Sequence, residues 1–218
     1  MSNQFVPMTP ALADYLTSHS TRRDPLLAEL CAETARLGET QVMQIAELQG
    51  SLMSLLTRAI SAERAVEVGT FTGYSAICVA RALPTHGKLL CCDVSDEWTR
   101  IARRYFARAE VAHKIDLRIG PALETLRALP RQPLFDIGFI DADKVNQHHY
   151  YEEVLVRLRS GGLLLIDNVL RDGRVLDESQ TDPSLQAVRA CNDVVAADPR
   201  VEVTMLPIAD GLSLIRKL

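Results

Sequence analysis

Two short apolar runs, each closing on acid or amide side chains and separated by a helix-length polar stretch, restrict this chain more than any other feature. The first is Phe135-Asp136-Ile137-Gly138-Phe139-Ile140, which ends in Asp141-Ala142-Asp143-Lys144. The second is Leu163-Leu164-Leu165-Ile166, entered through Gly161-Gly162 and ending in Asp167-Asn168. Runs of this kind read as buried strands, and a crossover of this length lets them lie parallel in one sheet. Their acids then arrive together at the carboxyl edge, where open α/β sheets bind ligands. Aspartate and asparagine oxygens with no histidine or cysteine pair nearby suit a hard divalent cation such as magnesium.

The remainder of the chain extends the same pattern. Strands are expected at 65–69, 88–93, 115–119, 135–141 and 162–167, with helices at about 73–82, 97–110, 121–128 and 146–158. Repeated βα units of this length call for right-handed crossovers and a mainly parallel sheet covered on both faces. After a loop from Asp172 to Pro183 come a helix at 184–197 and a terminal hairpin. The hairpin pairs Val201–Pro207 with Leu212–Arg216 across Ala209-Asp210-Gly211, so one strand must be antiparallel. Upstream, a helix-like patch covers Ala11 to Thr17, and Asp24-Pro25 supplies an N-cap and a first-turn proline for a helix to about Leu37, stopped at Gly38. In Leu48 to Ile60, Leu52, Leu55, Leu56 and Ala59 share one face, the mark of a packed helix. There is no repeat, linker or composition break. The reading is a single α/β domain over 1–218, with a helical extension at 1–60 and the sheet core at 61–218.

Composition excludes some function classes. A net charge of −4 with no basic block argues against a non-specific nucleic-acid surface. The five cysteines form no Cys-x-x-Cys pair and three lie in apolar runs, which points to reduced core thiols. No signal-peptide core and no run of transmembrane length is present, so a cytoplasmic protein that avoids membranes is expected.

A second half of the site lies earlier. Strand Ala65-Val66-Glu67-Val68-Gly69 runs into Thr70-Phe71-Thr72-Gly73-Tyr74-Ser75. Glycines allow a sharp turn and a close ligand approach, and a helix starting near Gly73 offers free N–H groups. It is not a dinucleotide fingerprint, because Phe71 stands where the middle glycine would be. Asp93 ends the second strand, where an acid can accept from ribose hydroxyls. The alternative for Asp93 is a helix N-cap, a role Ser95 or Asp96 could equally fill.

At this point the chain resembles a known family. Val66-Glu67-Val68-Gly69-Thr70-Phe71-Thr72-Gly73-Tyr74-Ser75 is similar to the first motif of class I S-adenosylmethionine-dependent methyltransferases. Within that class it looks like the cation-dependent O-methyltransferases typified by the caffeoyl-CoA and catechol enzymes. Gly120-Pro121-Ala122, Phe139 to Lys144, Gly161-Gly162, Asp167-Asn168-Val169-Leu170, Asp198-Pro199-Arg200 and Leu206 to Gly211 also match, in the family's order, from about residue 40 onward. The resemblance implies a Rossmann-like, seven-stranded sheet with its last strand antiparallel, and usually a homodimer. It places the methyl donor along Gly69, Thr70, Ser75, Asp93, Ala122 and Asp141, with Glu67 beneath the methionine moiety. Val42 and Met43 match the segment before the donor pocket, although helix packing would also explain Met43. Asp141, Asp167 and Asn168 match the metal ligands. Asp143 matches a donor- or substrate-touching position, or simply caps the next helix, and Asp172 matches a substrate contact. Arg171 departs from the tryptophan of many members, and Ile45 replaces a donor-binding threonine of plant members.

The chemistry agrees with that ligand set. Magnesium takes six oxygens and keeps water and substrate among them, so three protein oxygens leave room for two vicinal hydroxyls and a water. Chelation lowers a phenol pKa and aims one oxygen at the donor methyl. Lys144, three residues after Asp141, would share its helix face. Desolvated beside a cation, it becomes a candidate general base, the alternative being a surface ion pair with Asp141 or Asp143. His148 and His149 read as surface residues, Tyr150 and Tyr151 as one core and one surface residue, and Trp98 as either an adenine edge or packing. The expected activity is methyl transfer from S-adenosylmethionine to a small phenolic acceptor of catechol, caffeoyl or flavonoid type, with magnesium or a similar divalent cation. The rivals are an NAD-dependent oxidoreductase and a non-catalytic small-ligand-binding protein on the same fold.

Overall fold

The computed structural model describes residues 6–20 and 24–218; the ends of the polar N-terminal stretch, 1–5 and 21–23, lie outside the described residues. The strands are β1 (Arg64–Val68), β2 (Lys88–Asp93), β3 (Ile115–Ile119), β4 (Phe135–Ile140), β5 (Leu158–Asp167), β6 (Val201–Leu206) and β7 (Leu212–Lys217). The helices are α1 (Pro10–Ser18), α2 (Pro25–Thr34), α3 (Glu47–Ala59), α4 (Tyr74–Ala82), α5 (Asp96–Arg108), α6 (Ala122–Arg127), α7 (Gln147–Arg157) and α8 (Pro183–Ala197). The sheet runs β3-β2-β1-β4-β5-β7-β6. Its first five strands are parallel, and β7 is antiparallel to both β5 and β6. This is the expected Rossmann-like arrangement with its antiparallel C-terminal strand.

Period-two alternation divides the core between the two sheet faces. Ala65, Leu89, Cys91, Ile137, Leu163 and Leu165 pack with α2 to α5. Their neighbours Val66, Leu90, Cys92, Leu164 and Ile166 pack with α6 to α8. Among the described residues no cysteine is in a disulfide, and all but Cys31 are buried. Tyr150 and Tyr151 are both core residues, so the expected split between core and surface is wrong. The Tyr151 hydroxyl survives burial by donating to Asp198 Oδ2 at 2.7 Å.

Two boundaries, by more than two residues, and one buried face differ from the sequence reading, each for a physical reason. Helix α2 ends at Thr34, and the chain continues to Met43 as 3₁₀ turns broken at Gly38, whose φ is 69°. Strand β5 begins at Leu158 instead of 162, because Leu158 already pairs with Phe135 before a bulge opposite Asp136. Arg159 closes that bulge, donating from Nε to Asp136 Oδ1 at 2.6 Å. Finally, α3 buries Gln49, Gly50, Met53 and Thr57, while Leu55 on the expected apolar face stays 65% exposed. A Cβ on Gly50 would come within 2.7 Å of the Tyr74 ring, so α3 docks on α4 through its smallest residue. Among the described residues, no helix is long and apolar enough to cross a membrane.

The loop between β5 and α8 is fastened by Arg189 of α8. Its guanidinium donates to the carbonyls of Val175 (2.9 Å), Gln180 (2.9 Å) and Arg174 (2.8 Å), and to that of Asp177 at 2.5 Å. Asp182 caps α8 by accepting the Leu185 N–H at 2.9 Å.

Candidate active site

Strand register sets the acids in a row. Val68 pairs with Cys92 and Ile140, and Ile140 pairs with Ile166. One residue further on, Asp93, Gly69, Asp141 and Asp167 therefore stand at one level along the carboxyl edge, in that lateral order. At about 4.8 Å between strands the row spans roughly 14 Å. The Asp141 N–H donates to Val68 O at 2.8 Å, which holds the exit of β4 against β1. Gly69 has a φ of 93°, and a Cβ there would lie 1.8 Å from the Asp141 carbonyl oxygen. The neighbouring backbone, before any ligand, is what requires glycine.

The turn after β1 is locked by Asp93. Its Oδ2 accepts the N–H groups of Thr70 (2.9 Å) and Phe71 (2.7 Å), and its Oδ1 accepts that of Ser95 at 2.8 Å. Ser95, not Asp93, caps α5 by accepting the Trp98 N–H at 3.2 Å, so the N-cap alternative for Asp93 is excluded. A carboxylate has about four lone-pair sites, which leaves Asp93 capacity for a hydroxyl donor. Helix α4 starts at Gly73 with no side-chain cap.

Glu67 sits beneath this turn at 1% exposure. Burial pushes its carboxyl up to about 8; the nearby Ser75 and Thr70 hydroxyls oppose the shift, and the Asp141 and Asp93 charges reinforce it. Glu67 Oε2 and Thr70 Oγ1 reach no hydrogen-bond partner. Two orphaned oxygens under a cleft fit a cationic group of a ligand above them. Because the native state binds this proton more tightly than the unfolded chain, stability should fall as pH rises from about 4.5 towards 8. Each pKa unit is worth about 1.4 kcal/mol, so the loss is on the order of a few kcal/mol. Glu67→Gln should flatten that slope, read as thermal midpoints at about pH 5 and pH 8.5. Parallel slopes for the two proteins would show that Glu67 is not the titrating group.

A cleft of about 960 Å³ opens above the row. It is lined by Val42, Met43, Gly69, Thr70, Ser75, Asp93, Ala122, Asp141, Asp143, Lys144, Asp167, Asn168 and Asp172, every expected site residue except Glu67. Asp167 is 3% exposed and accepts the Asn168 N–H at 2.7 Å. Burial, then the charge of Asp141, pushes its carboxyl above the ordinary range. Asn168 turns its backbone into the left-handed region at φ 56°. Among the described residues, no three His, Cys, Asp or Glu side chains converge, so a metal here would need the Asn168 amide oxygen as third ligand. Two mutually repelling carboxylates beside an amide make a hard-oxygen set that fits a divalent cation. Lys144 Nζ, 9% exposed, donates to Asp141 Oδ1 at 3.0 Å.

The O-methyltransferase family matches residues 17–218. The chain belongs to the O-methyltransferase family. It is 40% identical over 212 residues to the probable caffeoyl-CoA O-methyltransferase 1 of Dictyostelium discoideum, covering 95% of this chain and 92% of that protein. It is 40% identical over 215 residues to the catechol O-methyltransferase domain-containing protein 1 of Mus musculus, covering 97% and 82%. The O-methyltransferase of Bacillus cereus, solved in complex with SAH, superposes with a TM-score of 0.87 at 31% identity, covering 95% and 97%. The oxidoreductase and non-catalytic readings give way to this.

In this methyltransferase some residues differ from expectation in their partners. Asp143 Oδ1 accepts the backbone and side-chain nitrogens of Asn146, at 3.0 and 2.8 Å, and Oδ2 accepts the Tyr150 hydroxyl at 2.5 Å. Asp143 therefore closes the turn ahead of α7 and does not cap that helix, whose N-cap is Asn146 with no side-chain cap bond, while its place in the cleft keeps it within reach of a ligand. Trp98 meets Phe71 edge-on at 5.2 Å, which is the packing reading, and it also lines the cleft. His148 and His149 do not line the cleft. Gln49 was missed: it lines the cleft, is fully buried, and neither of its amide atoms has a partner. The available signal was an amide inside a helical apolar period, next to Gly50.

Proposed function

We propose that this methyltransferase transfers the methyl group of S-adenosylmethionine to one hydroxyl of a vicinal dihydroxy-aromatic acceptor, with magnesium or a similar divalent cation. The observation that carries the reading is the level row Asp93, Gly69, Asp141 and Asp167, which sets a nucleoside-binding turn beside a hard-oxygen set on one sheet edge. Asp93 would take the donor ribose, Glu67 and Thr70 its amino group, and Gly69, Ser75, Ala122, Val42 and Met43 would wall its pocket. Asp141, Asp167 and Asn168 would hold the cation, which when bound acidifies a chelated phenol and orients its oxygen. Asp143 and Asp172 would border the acceptor.

In the chemical step the acceptor oxygen forms a bond to the methyl carbon as the carbon–sulfur bond breaks, releasing S-adenosylhomocysteine. The phenolic proton goes to Lys144 Nζ in its neutral amine form, the ammonium that donates to Asp141 having first released its own proton to water. Placement of both substrates on one rigid edge supplies the in-line geometry. Lys144→Met should lower kcat by roughly 10²- to 10⁴-fold with donor affinity retained. An unchanged rate across pH would remove Lys144 as the base.

The same reading includes a single methyltransferase domain over 1–218, a cytoplasmic setting, a homodimer, and no nucleic-acid or membrane partner. The test is purified protein with S-adenosylmethionine, magnesium and a panel of catechols, followed by S-adenosylhomocysteine release. Donor binding by calorimetry with no turnover across the panel would overturn it.

A further inference from the structure

Six aspartates but only two cationic side chains, Lys144 and Arg171, line the cleft. The donor and metal end uses three of the acids: Asp93 is held by backbone N–H groups, and Asp141 and Asp167 form the hard-oxygen set. Of the other three, Asp143 lies at the exit of β4, while Asp172 and Asp210 stand on the acceptor side. Strand order fixes that direction, since Asp210 leads into β7, which lies beyond β5 from the donor turn. Asp210 is anchored there, because its Oδ1 accepts the Asp172 N–H at 2.5 Å.

Of the two cleft cations Lys144 is held by Asp141, which leaves Arg171 alone against Asp143, Asp172 and Asp210. Arg189 is spent on four loop carbonyls. Arg174 donates from Nε to Arg171 O at 3.3 Å, and it is the single basic residue between Asp172 and Pro183, a stretch that also holds Asp177, Glu178 and Asp182. A coenzyme A thioester or a carboxylate tail would leave the metal end through this acidic lip, with no lysine of the lip to receive its charge.

We propose that the acceptor mouth selects by charge, taking catechols with cationic or neutral tails and disfavouring anionic ones, acyl-coenzyme A esters included. This rests on the catechol reading above. Charge lining a cleft concentrates ligands of opposite sign and repels those of like sign, and salt weakens both effects.

The test uses 3,4-dihydroxyphenyl acceptors with ammonium, neutral amide and carboxylate tails of equal length, together with caffeoyl-CoA. Their kcat/KM values are compared at low salt and at about 0.5 M salt. Ammonium and amide tails should exceed the carboxylate by about tenfold or more, with caffeoyl-CoA poorest, and salt should compress the gap. Asp172→Asn with Asp210→Asn should move the ammonium-to-carboxylate ratio towards one. Equal or better turnover of the anionic acceptors, or a ratio insensitive to salt, would overturn charge selection while leaving the catechol reading intact. Should the double variant not fold, the wild-type salt series decides alone. Turnover of none of the acceptors would instead remove the catechol reading, and charge selection with it.

Discussion

Asp141→Ala should cut kcat/KM for a catechol by about a thousandfold or more, equivalent to roughly 4 kcal/mol of transition-state stabilisation. Asp141 stands in the middle of the row, between the donor turn and Asp167, and it is also the carboxylate that Lys144 holds. Removing it takes away a proposed metal ligand and the anchor of the proposed base in one step. Asp167 should respond in the opposite sense: without the neighbouring charge its buried carboxyl is less strained electrostatically. The metal-free variant should therefore lose little stability, relief at Asp167 offsetting the unpaired Lys144, although it is nearly inactive. Such a divergence of stability and activity is expected where like charges are held together for function. EDTA should inactivate the parent to a similar extent, and added magnesium should rescue the parent but not the variant. Activity that survives both EDTA and Asp141→Ala would sink the metal assignment.

Gly69→Ala is the second large effect. The new Cβ would sit 1.8 Å from the Asp141 carbonyl oxygen, a backbone atom that cannot rotate away. β1 and β4 would have to separate at the site itself, on top of roughly 1–3 kcal/mol for a left-handed alanine. A total on the order of 4 kcal/mol would lower the melting temperature by roughly 8–16 °C in a domain of this size. Donor affinity should fall with it. Gly38→Ala is the matched control: its φ of 69° is also left-handed, but no atom lies within 4 Å of the added Cβ. It should lose only the backbone component. Equal losses for the two variants would show that contact with Asp141 is not what demands glycine at 69.

Much of this molecule could be read before its coordinates, and the exceptions share a cause. The five βα strands follow from apolar runs whose chemistry is local, and Asp141, Asp167 and Asn168 are legible because they close such runs. The start of β5 is not legible, since Arg159-Ser160-Gly161-Gly162 has no apolar period. That segment becomes strand through pairing with Phe135 and the Arg159 bond to Asp136. The leucine spacing of α3 suggests the wrong buried face, because a close approach to Tyr74, invisible in a helical wheel, decides the docking. Asp93 was legible as a site acid, but its grip on the Thr70 and Phe71 amides depends on strand neighbours 23 and 22 residues away. Gln49 and the Arg189 clamp belong to the same class of non-local contact.

The position of β7 has a bearing on how the protein is made. β7 follows β6 in sequence, yet it is inserted between β5 and β6 and pairs Leu212 with Asp167. During synthesis, β5 therefore presents a bare edge until residues 212–217 have left the ribosome, and such an edge invites pairing with other chains. The carboxylate at its tip gains its final neighbour only at that stage. Maturation of the site and protection against aggregation are thus completed by the same short segment.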